Sequence, residues 1–526
     1  ITYTKAAAAE LRGKIAAELS KRVAEHPDNA HLRRQLFRVY QADIKTVDAF
    51  CAALLRENVY RLPPVAGHTL TPDFRVLDEQ EAAMVKERVL ERTLEDFYAG
   101  MDDQRRQLAE TLGAGRDDRA LEQLVLELYR KLQSHPYPLE WLEKVRRGWE
   151  TLPEDLSQTP YGRIIMEDAA AKADFWAALL EKTADGITDE VVAAAYSDRL
   201  VEAAAGVRGF SAACGDWNAM AAALPGFHRR MGAVRGENPE KEHVQAIVKQ
   251  CKDDLKKLAA PFTVTQAEHL SDLSAMAPAM LALTALTADF SHRYQAEKAR
   301  RNALDFSDQE HYAIDLLCQP DGQPTELAQQ VAQRYREIMV DEYQDANDVQ
   351  NCIFSAVSRQ EQNLFTVGDV KQSIYRFRLA DPTIFLRKYN AYVPAGQAED
   401  GQPRKVLLSK NFRSRQSVLD GCNAIFRSIM SRRMGEMDYG AEEQLYFGAA
   451  YYPPHPDTAA EYHFIDVADT EEERFDRAAV EARFVAERIR RMLDEGYAVS
   501  GGDGLRRCTP EDFVILMRSP RSRLKA

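Results

Sequence analysis

Glu337-Ile-Met-Val-Asp-Glu-Tyr-Gln-Asp345 and Asn363-Leu-Phe-Thr-Val-Gly-Asp-Val-Lys-Gln-Ser-Ile-Tyr-Arg-Phe-Arg378 decide the fold. Each opens with a short apolar run that ends in polar residues, and a helix-like segment separates the two. Short buried strands alternating with helices predict a parallel sheet with helical crossovers. Such sheets bind ligands outside the carboxyl ends of their strands. The polar residues after each run are therefore the first place to look for chemistry.

The alternation extends outward from this pair. Ile1-Thr-Tyr-Thr4 and Ile44 to Val47 read as short strands. An Ala-rich helix from Lys5 to Leu19 follows the first, and an apolar helix from Asp48 to Arg56, with Asp48 as its cap, follows the second. After the turn-rich Arg61-Leu-Pro-Pro-Val-Ala-Gly67 the texture changes. From about Asp78 to Arg301 the chain reads as helix, with 3.6-residue spacing broken by Pro or Gly. Trp141, Trp149, Trp176 and Trp217 fall in this stretch and read as core anchors. Beyond Pro394-Ala-Gly-Gln-Ala-Glu-Asp-Gly-Gln-Pro403 a new alternation begins. Its members are Val406-Leu-Leu408, a helix from Ser414 with that residue as N-cap, Tyr462-His-Phe-Ile465, a helix from Glu471, and Phe513 to Met517. The expected fold class is α/β: a parallel sheet drawn from residues 1–66 and 301–395, split by an all-helical insertion at 67–300, with a second α/β domain at 396–526.

Composition fits this plan. A chain of 526 residues holds roughly three or four domains. Its 45% hydrophobic and 29% charged residues are those of a globular protein. No run approaches the roughly 18 apolar residues of a membrane span, and no signal peptide is visible, so a membrane role is not expected. The seven cysteines stand singly, without a CxxC pair. That argues against a zinc site or a disulfide framework and fits a reducing cytoplasm. The net charge of −13 does not decide about nucleic acid, because DNA is gripped by local basic and aromatic surfaces. The chain starts at Ile1 without a methionine and reads as a piece of a longer protein.

Three segments carry chemistry. After the first run, Asp341 and Glu342 form the carboxylate pair that nucleotide hydrolysis needs: one acid holds Mg²⁺ through its water shell, the other orients and deprotonates the attacking water. An acidic helix start would look the same. After the second run, the Gln372 amide can bond both a phosphate oxygen and the water aligned against it. Tyr375, Arg376, Phe377 and Arg378 interleave rings with guanidiniums, which suits single-stranded DNA; a helix with buried aromatics is the alternative. In Leu407-Leu-Ser-Lys-Asn-Phe-Arg-Ser414, Phe412 can lie on an adenine face and Arg413 on a γ-phosphate.

Together and in this order, these segments resemble the second, third and fourth motifs of superfamily-one DNA helicases. Ile1-Thr-Tyr-Thr-Lys-Ala-Ala-Ala-Ala-Glu-Leu11, Ile44-Lys-Thr-Val-Asp-Ala-Phe-Cys51 and Leu304-Asp-Phe-Ser-Asp308 resemble further motifs of that superfamily. The wording of Leu364 to Phe385, of Leu304-Asp-Phe-Ser-Asp-Gln-Glu-His311 and of His135-Pro-Tyr-Pro-Leu-Glu-Trp141 is similar to the AddA subunits of bacterial AddAB helicase–nucleases. The resemblance implies RecA-like domains, with the first split by the insertion. It implies ATP and Mg²⁺ as cofactors, Asp341 as metal ligand and Glu342 as catalytic base. Gln372 and Arg413 would act on the γ-phosphate, and Phe412 would stack on the adenine. Tyr3, Thr46, Asp48, Tyr375, Phe377 and Arg378 would meet DNA, with Asp48 standing where many relatives carry His. It further implies single-stranded and duplex DNA ends as substrates, an AddB-like second subunit in a heterodimer, a cytoplasmic protein and an exonuclease in the parent. The alternatives are a stand-alone helicase of the UvrD type and a non-enzymatic DNA-binding scaffold. The sequence contains no G-x-x-x-x-G-K-[ST] loop; its one Gly-Lys is Gly13-Lys14, followed by Ile15. The resemblance places that loop upstream of Ile1 and the nuclease beyond Ala526, so these residues alone are expected to hydrolyse little ATP.

Overall fold

A computed structural model describes residues 1–112, 119–226, 232–455, 458–465, 477–502 and 504–517. Ile1–Gly368 with Ile374–Asp381 form one compact unit, and Asp369–Ser373 with Pro382–Ala526 form another.

The first unit begins with α1 (Lys5–Glu25), α2 (Ala30–Arg38) and α3 (Val47–Asn58). Its sheet is small and parallel. β3 (Ile338–Val340) pairs with β4 (Leu364–Thr366), Val340 lying opposite Thr366. On the other side of β3, the Ile1 nitrogen donates to the Met339 carbonyl at 2.6 Å and Asp341 N–H donates to the Ile1 carbonyl at 3.1 Å. Thr2 bridges Thr46 in parallel. The lateral order is thus Thr46, Ile1–Thr2, β3, β4, all running the same way. The strands expected at Ile1–Thr4 and Ile44–Val47 shrink to this single bridge, because Thr46 already serves as the cap of α3. Its hydroxyl accepts the Ala49 N–H at 3.2 Å, and Asp48, expected as cap, falls inside the first turn.

The insertion leaves and returns at one place, where β1 (Arg75–Val76) pairs in parallel with β2 (Ala303–Leu304). Between them lie α4 (Glu79–Ala99), α5 (Asp103–Thr111), α6 (Arg119–Leu132), α7 (Pro138–Glu150), α8 (Pro160–Asp185), α9 (Glu190–Ala212), α10 (Trp217–Ala222), α11 (Pro239–Ala259) and α12 (Gln266–Arg300). The expected helical stretch is observed, and Asp78 opens it with a capping box shared with Glu81. Two apolar clusters form. The inner one joins α4, α5 and α6 to the second half of α12 through side chains such as Val89, Phe97, Tyr129 and Phe290. The outer one joins α8, α9, α10 and α11 through Trp176, Tyr196, Phe210 and Trp217. Trp176 and Trp217 are the anchors expected, whereas Trp141 and Trp149 are only half-buried, Trp141 stacking on His135 at 4.6 Å.

One expectation needs correcting: α12 is long and apolar enough to cross a membrane by length and composition. It packs instead against α4, α5, α6 and α7, so its apolar face belongs to a protein core. Where α12 ends and α13 (Phe306–Leu317) begins, a buried ion cluster joins them. The Lys298 ammonium lies 3.1 Å from Asp305 and 2.6 Å from Asp308, and the Tyr294 hydroxyl donates to Asp305 at 3.0 Å. Asp305 also caps α13. Burial opposes its charge, but Lys298 and the Asp308 N–H outweigh that and hold its carboxyl low, while burial beside Asp305 raises Asp308. α13 packs on α3, on α14 (Glu326–Arg334) and on α15 (Asp348–Ala356), the crossover between β3 and β4.

The second unit contains α16 (Thr383–Ala391), α17 (Gln416–Ile429) and α18 (Arg477–Glu495). β5 (Val393–Pro394) pairs in parallel with β6 (Arg404–Lys405), and β7 (Lys410–Asn411) with β8 (Tyr446–Phe447). β9 (Ala498–Gly501) and β10 (Gly504–Arg507) make an antiparallel hairpin. Val406–Leu408, Tyr462–Ile465 and Phe513–Met517 are not strands, contrary to the sequence reading. They lie largely open: Leu408, Phe464 and Leu516 are 81%, 80% and 90% exposed. An apolar run becomes a buried strand only when a neighbour supplies the ladder, and none does among the described residues. Arg415, not Ser414, occupies the N-cap of α17 and makes no side-chain cap bond. Residues 471–476 of the expected helix from Glu471 lie outside the described residues.

Candidate nucleotide and DNA site

β3 ends at Val340, and the next two residues are the candidate carboxylates. Asp341 and Glu342 are both exposed. Asp341 Oδ1 accepts the Glu342 N–H at 3.0 Å. Glu342 is left-handed, with φ of +50°, a conformation disfavoured for a residue with a Cβ. It turns the chain at once into the interior: Tyr343 and Gln344 are buried, and Tyr343 N–H bonds the Val367 carbonyl at the end of β4 at 2.9 Å. The Gln344 amide reaches back and donates to Glu342 Oε2 at 2.7 Å. Gly368 makes this approach possible, since a Cβ there would run into Gln344 Oε1.

Among the described residues, no group of three or more His, Cys, Asp or Glu side chains is placed to hold a metal ion. A dedicated protein cage is not what Mg²⁺ needs beside a nucleotide; one carboxylate with phosphate oxygens and water suffices, and exposed Asp341 fits that role.

Behind the carboxylates the interior is acidic. Gln350, on α15, donates to Glu310, on α13, at 2.8 Å. Burial pushes the Glu310 carboxyl up to about 7 and, aided by the Glu342 charge, pushes Asp345 up to about 6. Tyr3 points here. Its hydroxyl is buried without a hydrogen-bond partner, and burial, with the charges of Glu310 and Asp345, raises it well above the ordinary phenol range. Of the residues expected to meet DNA, Tyr3 is thus turned inward at its polar end. Thr46 is buried as a cap, and Asp48 is half-buried with its carboxyl raised by burial.

The other three lie open. Phe377 is 67% exposed, which removes the buried-aromatic alternative, and Tyr375 is 38% exposed. Their ring centroids are 5.8 Å apart, and the Arg378 guanidinium lies 5.5 and 5.7 Å from the two rings. The segment is tied down by its backbone: Arg130 of α6 donates to the Phe377 carbonyl at 3.0 Å, and Asp381 N–H to the Ala346 carbonyl at 2.9 Å. Neither Gln344 nor Arg130 was picked out from sequence. Gln344 at least lies inside the quoted motif; nothing local marks Arg130.

Gln372, Phe412 and Arg413 belong to the second unit. Gln372 is exposed, and its amide donates to Asp369 at 3.0 Å. The Asn411 side chain caps the turn that follows β7, accepting from Arg413 N–H at 2.9 Å and Ser414 N–H at 2.8 Å. The Tyr451 hydroxyl donates to the Phe412 carbonyl, and that of Tyr452 to the Arg413 carbonyl at 2.5 Å. The backbone of this turn is held while the Phe412 and Arg413 side chains stay exposed. Phe412 lies over Gly448, where a Cβ would be 2.8 Å from the ring.

Comparison with known proteins agrees with this geometry. The chain is 33% identical to the AddA subunit of the ATP-dependent helicase/nuclease of Acetivibrio thermocellus, over 99% of this chain and 45% of that protein. It is 34% identical to the corresponding proteins of Lachnoclostridium phytofermentans and Bacillus mycoides, each over 99% of this chain and over 41% and 43% of theirs. The chain spans less than half the length of these curated relatives. Residues 1–393 match the family model of the UvrD/REP helicase N-terminal domain, and the chain therefore belongs to the UvrD/REP helicase family.

Proposed function

We propose that this chain is part of an ATP-driven translocase on single-stranded DNA, within a helicase–nuclease that resects double-strand breaks for recombinational repair. The observation that carries the reading is the Asp341–Glu342 pair, presented in the open at the carboxyl end of a parallel strand. The names of the relatives support the wider role, and with it both an AddB-like partner and a cytoplasmic setting. In this reading residues 1–66 and 301–395 make one RecA-like domain around the insertion at 67–300, and 396–526 begin a second.

The roles follow from the chemistry of each side chain. Bound Mg²⁺ would neutralise charge on the ATP phosphates. Asp341 would hold that ion through water. Glu342 would orient the attacking water and accept its proton. Gln372 and Arg413 would bond the γ-phosphate, the arginine with a charge-assisted contact, and Phe412 would offer its face to the adenine. Tyr375 and Phe377 would stack on bases while Arg378 meets a phosphate.

Two variants of the full-length protein test this. Glu342→Gln keeps the shape of the side chain but cannot take a proton, so hydrolysis is lost while ATP binding stays within about threefold. Turnover within threefold of wild type rules Glu342 out as the base. Phe377→Ala weakens single-strand binding about tenfold, since stacking is worth roughly 1–3 kcal/mol per base, and does so with little dependence on base sequence. Because Phe377 is 67% exposed, its removal leaves the melting temperature nearly unchanged. Unaltered affinity rejects the stacking role.

A further inference from the structure

Glu342 is an exposed side chain on a left-handed residue, and such a group has no reason of its own to hold one direction. A general base must hold one, because proton transfer needs it within hydrogen-bond reach of the attacking water. The residue two positions on supplies the constraint. Gln344 is 1% exposed, and its amide donates to Glu342 Oε2 at 2.7 Å. Its own position is fixed from behind. Gly368 packs against it so closely that a Cβ would run into Gln344 Oε1 and come within 3.1 Å of the Tyr343 nitrogen. The same loop is pinned to β4 by the Tyr343–Val367 bond at 2.9 Å. A buried amide thus clamps one carboxylate oxygen and leaves the other to the solvent side.

We infer that Gln344 is the positioning residue for Glu342: it touches neither nucleotide nor water, and fixes the orientation of the carboxylate that does. The inference rests on the reading of Glu342 as the general base. It also explains why a polar side chain is buried at this turn, where an apolar one would pack without needing a partner.

The test is a double-mutant cycle in the full-length protein, with single-strand-stimulated ATP turnover, ATP affinity and melting temperature measured for each form. Gln344→Met keeps the length of the side chain and removes the donor. Turnover is expected to fall tenfold or more with ATP affinity within twofold. In the Glu342→Gln background the same substitution is expected to lower the residual turnover less than twofold, because its only route of action is gone. A purely structural role would lower turnover by the same factor in both backgrounds, and that result overturns the proposal. Should Gln344→Met fail to fold, Gly368→Ala takes its place: its methyl displaces the amide without altering its chemistry, and the same pattern is expected. Glu342→Gln inactive with Gln344→Met fully active removes this proposal alone. Glu342→Gln fully active removes the proposal together with the reading beneath it.

Discussion

Glu310 is 8% exposed, and its surroundings favour the neutral form. Burial is the largest influence, the Gln350 amide opposes it, and the Asp48 charge adds to it, so the carboxyl sits at about 7. Cys51 and the Tyr3 hydroxyl share this neighbourhood, and neither brings a cation. A folded-state value above the unfolded one means that the native protein binds the extra proton. Stability from this group is therefore full below the unfolded value near 4.3 and is lost as pH rises through about 7. Glu310→Gln keeps an oxygen for Gln350 and removes the titration. Urea melts at pH 5 and pH 8 should show wild type losing roughly 2 kcal/mol more than the variant over that interval. Asp308 and Asp345 are shifted in the same sense and remain in both proteins, so the difference between the two slopes is the quantity that counts. Equal slopes would mean that Glu310 is charged in the folded protein. Little of this was legible in the sequence. Glu310 stands within Leu304 to His311, a stretch singled out for its motif, yet the run Asp-Gln-Glu reads locally as a solvated helix start. Only α15, arriving from beyond residue 347, makes it an interior group. Tyr3 was misread for the same reason: the strand end was legible, but not the acidic interior that takes up its hydroxyl.

Lys298 ties two elements together, the last turn of α12 and the start of α13, across the point where the insertion rejoins the sheet. It is 1% exposed, and two carboxylates face it. Lys298→Met fits the length of the side chain but leaves Asp305 and Asp308 against each other without the cation that bonds them both. A broken buried pair costs about 3–5 kcal/mol, and denaturant melting is expected to show a loss of that size. Lowering the pH should recover part of it, as one carboxyl protonates. A loss under about 1 kcal/mol would mean that the carboxylates find water or another partner. At this scale the sequence was a good guide where an element carries its own signals. Long apolar periodicity and the Asp78 and Asp305 caps marked the helices, and β3 and β4 were visible because each ends in abrupt polarity. It misled where an element depends on a partner. Val406 to Leu408 and Phe513 to Met517 are as apolar as β3, yet they do not become strands, since strand identity belongs to a pair of segments and not to one.

Within the first unit, α12 serves two cores. Its early residues Leu270 and Leu273 pack on the outer cluster, its later ones from Ala279 onward build the inner cluster, and Pro278 stands between them. A proline inside a helix gives up one backbone bond, so the spine is softest where one core stops and the next begins. The outer bundle has a second boundary mark: where it starts, Leu156 N–H bonds the Gln266 side chain, where α12 starts, at 3.2 Å. Entry and exit are thus adjacent. Replacing residues 157–264 by a short Gly-Ser linker is expected to leave the inner core folded, with a cooperative melt and with the helical signal reduced only by α8 to α11. Loss of the cooperative transition would show that the two cores are one folding unit. No part of this division was legible from the helical periodicity, which is the same on both sides of Pro278. Its consequence concerns descent. A bundle whose two ends meet at a single hydrogen bond behaves like an exchangeable paragraph in a text: lineages can lengthen, rewrite or drop it while the sentences on either side, ending in Asp341-Glu342 and in Tyr375 to Arg378, continue to be copied unchanged.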